Sequence, residues 1–344
     1  MKAAIIKGKN NVECLELDRP EPGANEVRIS VIRCGICGSD LHSYLGRWKP
    51  PSFAPGHELV GTVEKLGPGA NGLRVGDRVV VTAFSPCGTC ANCLEGKTNL
   101  CDDLEWLFSK YHGGLSEFAI APQNAVRLAD SALSDQQAAM IEPAAVAWHA
   151  CTRFGRRGFE RALVIGAGTI GLLCTGILRA TGTRRIVTVA KHDHQARLAE
   201  QFGADEVVRP GNEDVRRAAR EKLGPKGGDL VIDTVAAGNS MVAAIESAAK
   251  GAGVVLAGGA AKPLLVQFSK LVTEEVQIVG SNCYAVCEGR HDYEWVTDLM
   301  KGGKLDTDAL VTNVFPLEKV AEAFATAADK TSGSVKVQVA VREG

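Results

Sequence analysis

Four cysteines, Cys87, Cys90, Cys93 and Cys101, fall within fifteen residues with the spacing C-x2-C-x2-C-x7-C. Their loop also carries Gly88, Asn92, Gly96 and Asn99, residues that turn a chain but bury little apolar surface. Four thiolates converging tetrahedrally fill every position around one zinc ion. The set therefore predicts a closed structural site that orders a loop with little core of its own. A second group mixes donor types: Cys37-Gly38-Ser39-Asp40-Leu41-His42 and, twenty residues beyond Cys37, Gly56-His57-Glu58. Sulfur, imidazole and carboxylate together suit a zinc with three protein ligands and one position left for water or substrate. Asp40 is placed to orient that zinc shell from behind.

A third motif, Gly166-Ala167-Gly168-Thr169-Ile170-Gly171, follows the apolar run Ala162-Leu163-Val164-Ile165 and opens an apolar helix. In that context Gly166 permits the tight turn, Gly168 lets a pyrophosphate approach backbone donors, and Gly171 allows close helix packing. An acid that binds the adenosine ribose is expected about twenty residues on, but nineteen past Gly171 the chain has Ala190, followed by Lys191 and His192. Lys191 and His192 can hold a 2′-phosphate where an aspartate would repel it, which favours NADP over NAD. In the other reading they are merely exposed and Asp193 serves the ribose from a shifted position.

The elements that must position these residues change character along the chain. The first stretch reads as β-rich, with Val27, Ile29 and Val31 alternating with Arg28 and Ser30. From about residue 158 short apolar runs alternate with helical patterns, the signature of parallel βαβ units. Strands are expected at Ala162 to Ile165, Arg185 to Ala190, Glu206 to Val208, Asp229 to Val235, Gly253 to Ala257 and Val276 to Ser281, a full doubly wound set. The charged run Asn212 to Lys222 reads as the solvated face of a helix, and Leu317 to Lys330 as helical. The final alternating strand, Lys336 to Val341, is expected to return to the first domain.

Composition limits the partners. The 344 residues carry 39 basic and 40 acidic side chains, so there is no global field to grip nucleic acid or an anionic membrane. Lys97 is the one basic residue between Cys87 and Cys101, which leaves a nucleic-acid-binding zinc ribbon little support. The apolar run near the N-terminus is too short for a signal peptide, and no stretch reaches a membrane span. The chain is read as cytoplasmic, where eleven cysteines point to metal or catalysis before disulfides.

In type, order and spacing these motifs resemble the zinc-dependent medium-chain alcohol dehydrogenases over essentially the whole chain. The resemblance implies an α/β protein: a GroES-like β-rich catalytic domain at 1–152, with the structural zinc loop at 87–101, then a doubly wound Rossmann domain with a six-stranded parallel sheet at 153–284. Residues 285–344 would return to the catalytic domain. It assigns Cys37 and His57 to catalytic zinc. Where the alcohol dehydrogenase pattern supplies a second cysteine, this chain reads Met140-Ile141-Glu142-Pro143, a departure that resembles the polyol, butanediol and threonine dehydrogenase branch. In that branch Glu58 and Glu142 can each coordinate, directly or through water. The resemblance also implies that Ser39 hydrogen-bonds the substrate oxygen and that His42 completes a proton path to solvent through the cofactor ribose.

The implied activity is reversible hydride transfer between a secondary alcohol, of vicinal diol or hydroxyketone type, and NADP or NAD, with two zinc ions per chain in a homodimer or homotetramer. The segment Gly280-Ser281-Asn282-Cys283-Tyr284 aligns where polyol dehydrogenases carry an arginine, which sets Cys283 against sugar-alcohol binding. An L-threonine or polyol dehydrogenase of the same branch is the alternative, and a catalytically silent relative is another, opposed by the joint presence of Cys37, Ser39, His42, His57 and Glu58. Trp48, Trp106 and Phe108 are expected to pack in a core or interface rather than wall a substrate pocket. Cys14, Cys34, Cys151, Cys174 and Cys287 are assigned packing roles.

Overall fold

The computed structural model describes residues 1–211, 214–236, 239–259, 265–266 and 268–342, the side chain of Phe108 excepted. The chain divides into two compact units. One comprises Met1–Glu142, Ala285–Gly289 and Thr307–Gly344, the other Pro143–Tyr284 and Arg290–Asp306.

The first unit is built on a seven-stranded sheet. It runs from Val311–Pro316 through Lys336–Ala340, Glu26–Gly35, Glu58–Leu66 and Arg78–Val81 to Val126–Leu128, and Phe118–Pro122 also pairs with Glu26–Gly35. The C-terminal strand does return to this sheet, antiparallel, with Gln338 opposite Gly35. The central strand departs from its alternation: Arg28 and Ser30 are buried along with Val27, Ile29 and Val31. Both faces are covered, and the Arg28 guanidinium is neutralised by Glu64 at 2.6 Å and Glu21 at 2.7 Å, as a buried charge requires. Helix Gly38–Tyr44 follows this strand directly.

The second unit holds a six-stranded sheet, parallel throughout. It runs from Glu206–Val208 inward through Arg185–Val189 to Arg161–Ile165, then outward through Gly228–Asp233 and Ala248–Leu256 to Gln277–Gly280. This is the doubly wound order in which strand direction of progress reverses beside the first strand. The strands are continuous apolar runs because helices cover both faces: Leu163, Val187, Val231 and Val254 are fully buried. Helix Val215–Leu223 buries Ala218, Ala219 and Leu223 and turns its arginines outward, while Asn212 and Glu213 lie outside the described residues. Among the described residues no helix is long and apolar enough to cross a membrane.

The aromatic expectations divide. Trp106 packs edge-on to Phe84, with ring centroids 5.7 Å apart. Trp48 does not enter a core: it is 55% exposed and lies 4.8 Å from the His42 ring, because it follows the helix on a surface turn. The Phe108 side chain lies outside the described residues. Cys34, Cys151 and Cys174 are buried as packing residues, whereas Cys14 and Cys287 are half-buried.

Candidate metal and dinucleotide sites

Cys37 sits at the N-cap of helix Gly38–Tyr44, where its N–H donates to Asp40 Oδ2 at 2.9 Å. Asp40 is buried, and burial pushes its carboxyl upward against the opposing effects of His57 and the Cys37 N–H. His57 precedes and Glu58 begins the strand Glu58–Leu66, which pairs with Glu26–Gly35 so that Glu58 stands opposite Gly35. Sheet register thus carries two ligand-bearing segments to the same end of the sheet. One donor atom each from Cys37, His57 and Glu58 lies within 4.8 Å of the others.

Gly35 is what lets the carboxylate in. A Cβ there would meet Glu58 Oε2 at 2.0 Å, closer than real atoms approach. The sequence reading missed this residue, and it missed Lys336, whose Nζ donates to both Glu58 oxygens at 2.7 Å and to Ile36 O at 3.1 Å. In sequence Lys336 looked like the polar member of an alternating strand. It is 4% exposed, and the signal that could have found it is that Lys336 and Gln338 share the strand face turned toward Gly35.

Glu142 lies in the first turn of helix Ile141–Thr152 and is buried. Burial pushes its carboxyl up to about 8, with Glu58 and Cys37 adding to the rise and His57 and Lys336 opposing it. Its charge couples to the same cluster, although it does not belong to the 4.8 Å set. Burial, then Glu58 and Asp40, push the Cys37 thiol up to about 12. Ser39 Oγ is buried beside that thiol and has no other hydrogen-bond partner among the described residues. A cluster of acidic donors packed this closely, with a hydroxyl left over, fits a divalent cation: the cation lowers the ligand pKa values and relieves the repulsion.

The four-cysteine loop is gathered as its spacing predicts. The sulfurs of Cys87, Cys90, Cys93 and Cys101 lie within 4.8 Å of one another. Backbone N–H groups of Thr89 and Cys90 donate to Cys87 Sγ, and those of Cys87 and Asp103 donate to Cys101 Sγ. These donors favour thiolates, and they hold Cys87 down at about 6. Four convergent sulfurs, with backbone donors aimed at Cys87 and Cys101, fit a closed zinc site.

His42 occupies the last turn of its helix. Burial, and then the Arg47 charge, hold its pKa below 6.5. Arg47 Nη1 approaches His42 Nδ1 at 3.4 Å.

The glycine-rich turn leaves strand Arg161–Ile165 and enters helix Thr169–Ala180. Gly166 has φ +100°, and a Cβ on Gly171 would meet Gly166 O at 1.8 Å, so both must be glycine. Gly168 is the N-cap, with no side chain capping the helix and nothing within 4 Å of where its Cβ would stand. Ala167 is buried behind the turn, and Thr169 and Ile170 form the first helical residues. At the end of the next strand Ala190 is fully buried, while Lys191 is exposed and His192 half-exposed. Asp193 is ion-paired to Arg209, a further residue that sequence spacing did not single out.

Comparison with known proteins agrees with this arrangement. Residues 23–130 match the alcohol dehydrogenase GroES-like domain, and residues 169–302 match the zinc-binding dehydrogenase family. A sorbitol dehydrogenase of Halalkalibacterium halodurans is 30% identical over 97% of this chain and 98% of its own. An L-threonine 3-dehydrogenase of Saccharopolyspora erythraea is 31% identical over 96% of each chain. Among solved structures, 2R,3R-butanediol dehydrogenase from Bacillus subtilis superposes with a TM-score of 0.86 at 28% identity, covering 99% of both chains.

Proposed function

The chain belongs to the zinc-dependent medium-chain alcohol dehydrogenases, and on that premise we propose that it interconverts a vicinal diol and the matching hydroxyketone, with NADP preferred over NAD. The observation that carries the reading is the mixed donor set of Cys37, His57 and Glu58 within 4.8 Å. A set of this kind leaves a position open, unlike the all-thiolate set of the loop. Two zinc ions per chain are expected, a structural one at Cys87, Cys90, Cys93 and Cys101 and a catalytic one at Cys37, His57 and a carboxylate of Glu58 or Glu142. Residues 1–152 and 285–344 would form the catalytic domain and residues 153–284 the dinucleotide domain of a cytoplasmic homodimer or homotetramer.

A zinc held by Cys37, His57 and a glutamate would supply Lewis acidity for a substrate hydroxyl, and a bound nicotinamide would supply the hydride acceptor. The chain's own residues handle the proton. Ser39 Oγ, buried and short of partners, accepts it from the substrate hydroxyl and passes its own toward His42. His42 is neutral near pH 7 because burial and Arg47 lower its pKa, so a ring nitrogen can take up the proton and release it to water. Asp40 holds the Cys37 backbone in place. Gly166, Ala167, Gly168, Thr169, Ile170 and Gly171 receive the pyrophosphate on backbone donors.

Preference for NADP rests on the strand end, where exposed Lys191 and half-exposed His192 precede an Asp193 that is ion-paired to Arg209. Asp193 Oδ1 is engaged by Arg209, which competes with a ribose diol for that carboxylate. An aspartate at buried Ala190 would lack a partner, so the test belongs one residue on. Lys191→Asp should lower the NADP to NAD ratio of kcat/KM by about tenfold; an unchanged ratio would sink the assignment. Substrate class is tested by nicotinamide absorbance on zinc-loaded protein offered vicinal diols, sugar alcohols and L-threonine. Turnover confined to L-threonine or sugar alcohols would replace the diol reading with the threonine or polyol one.

A further inference from the structure

A buried ammonium beside a metal-ligand cluster is costly, since it repels any cation bound there and must shed its water to enter. Lys336 is such a group. Its three hydrogens are accounted for by Ile36 O and the two oxygens of Glu58. It has little freedom: Ile36 N–H donates to Val337 O at 3.0 Å, and the strand that carries it is paired to Glu26–Gly35. The Glu58 side chain is 2% exposed and fills the space that Gly35 leaves. The same carboxylate is thus held by a fixed cation on one side and stands within the Cys37–His57 donor set on the other.

Two cations that share one carboxylate compete for it. With Asp40 bound to the Cys37 N–H, a Cys37 thiolate and one glutamate would neutralise a divalent ion, which leaves the other glutamate to neutralise Lys336. Glu58 is the one that Lys336 contacts, and Glu142 is the other buried glutamate whose charge couples to the cluster. We propose that Lys336 is a positioning residue of the metal centre, which by holding both oxygens of Glu58 keeps that carboxylate a weak ligand that can yield its place to substrate. The inference rests on the catalytic-zinc reading above. It gives Lys336 no contact with substrate.

The test is the rate at which zinc-loaded enzyme surrenders its catalytic zinc to a colorimetric chelator, with Cys37→Ser marking the contribution of the structural zinc. In Lys336→Met, Glu58 has no competing cation, and catalytic zinc should leave about tenfold more slowly. KM for the alcohol should rise along with the slower release, because substrate must displace a tighter ligand. Lys336→Arg keeps the charge and should stay within about threefold of wild type. In an E58Q background the Lys336→Met effect should shrink to less than half, since the ligand through which it acts is gone. Release that is unchanged or faster in folded Lys336→Met, or slowing that persists in full with E58Q, would overturn the proposal. Where the methionine variant does not fold, Lys336→Gln, which donates to Glu58 without charge, is measured against the same outcomes. A wild-type chain that holds one zinc, with no further loss in Cys37→Ser, would instead remove the catalytic-zinc reading, and this proposal with it.

Discussion

His42 shows how much of the chemistry depends on the surroundings of one residue. Its ring lies against Trp48 and beside Arg47, and both burial and the Arg47 charge disfavour the imidazolium. Because the folded pKa is below 6.5, the unfolded chain binds this proton more readily. The stability contributed by neutral His42 is full above pH 6.5 and is lost as pH falls toward the folded pKa. Turnover should follow the same limb, declining as His42 becomes protonated. Arg47→Met removes one of the two causes, so the acid limb of kcat should move to higher pH; an unmoved limb would separate His42 from the rate. His42→Ala should slow turnover by about a hundredfold with zinc content intact. If its pH profile matches wild type, the proton path runs elsewhere.

At the scale of the element, the turn from strand Arg161–Ile165 into helix Thr169–Ala180 separates packing from binding. Gly171 is required by the fold, since a methyl group there collides with the backbone of Gly166. Gly168 is not, since a methyl group there meets nothing. Gly171→Ala should therefore destabilise the protein by about 1–3 kcal/mol in denaturant titration. Gly168→Ala should leave stability nearly unchanged and weaken nicotinamide binding, because its methyl group occupies the approach to the helix N-terminus. Equal losses of stability in the two variants would contradict this division. The helix Thr169–Ala180 was legible from its apolar residues, whereas the strand starting at Ala248 was shortened in the sequence reading by exposed Lys250 and Gly251, where the ladder shifts register before resuming at Gly253.

For the whole molecule, two compact units carry different candidate sites. The donor sets for metal lie in the unit containing Met1–Glu142, and the glycine-rich turn lies in the one containing Pro143–Tyr284. Differential scanning calorimetry should resolve two transitions. A chelator should lower the first unit's transition, and NADP should raise the second's, each by mass action on its own folded state. A single transition moved equally by both ligands would mean that the units unfold as one.

The sequence by itself determined the ligand types, the four-cysteine loop, the glycine turn and the parallel character of the second sheet. Those features are local: fixed spacings of thiols, tight turns and apolar periodicity act over tens of residues. Only the tertiary structure decided what long-range strand pairing brings together. Gly35 and Lys336 lie in strands far apart along the chain, yet sheet register puts one beneath Glu58 and the other across both of its oxygens. Arg28 looked solvent-facing until the second covered face of its strand was seen, and Asp193 looked available until Arg209 met it. Charges are read as exposed when their neighbours along the chain are polar, but a charge is buried or neutralised by neighbours in space, and those are set by the pairing of distant strands.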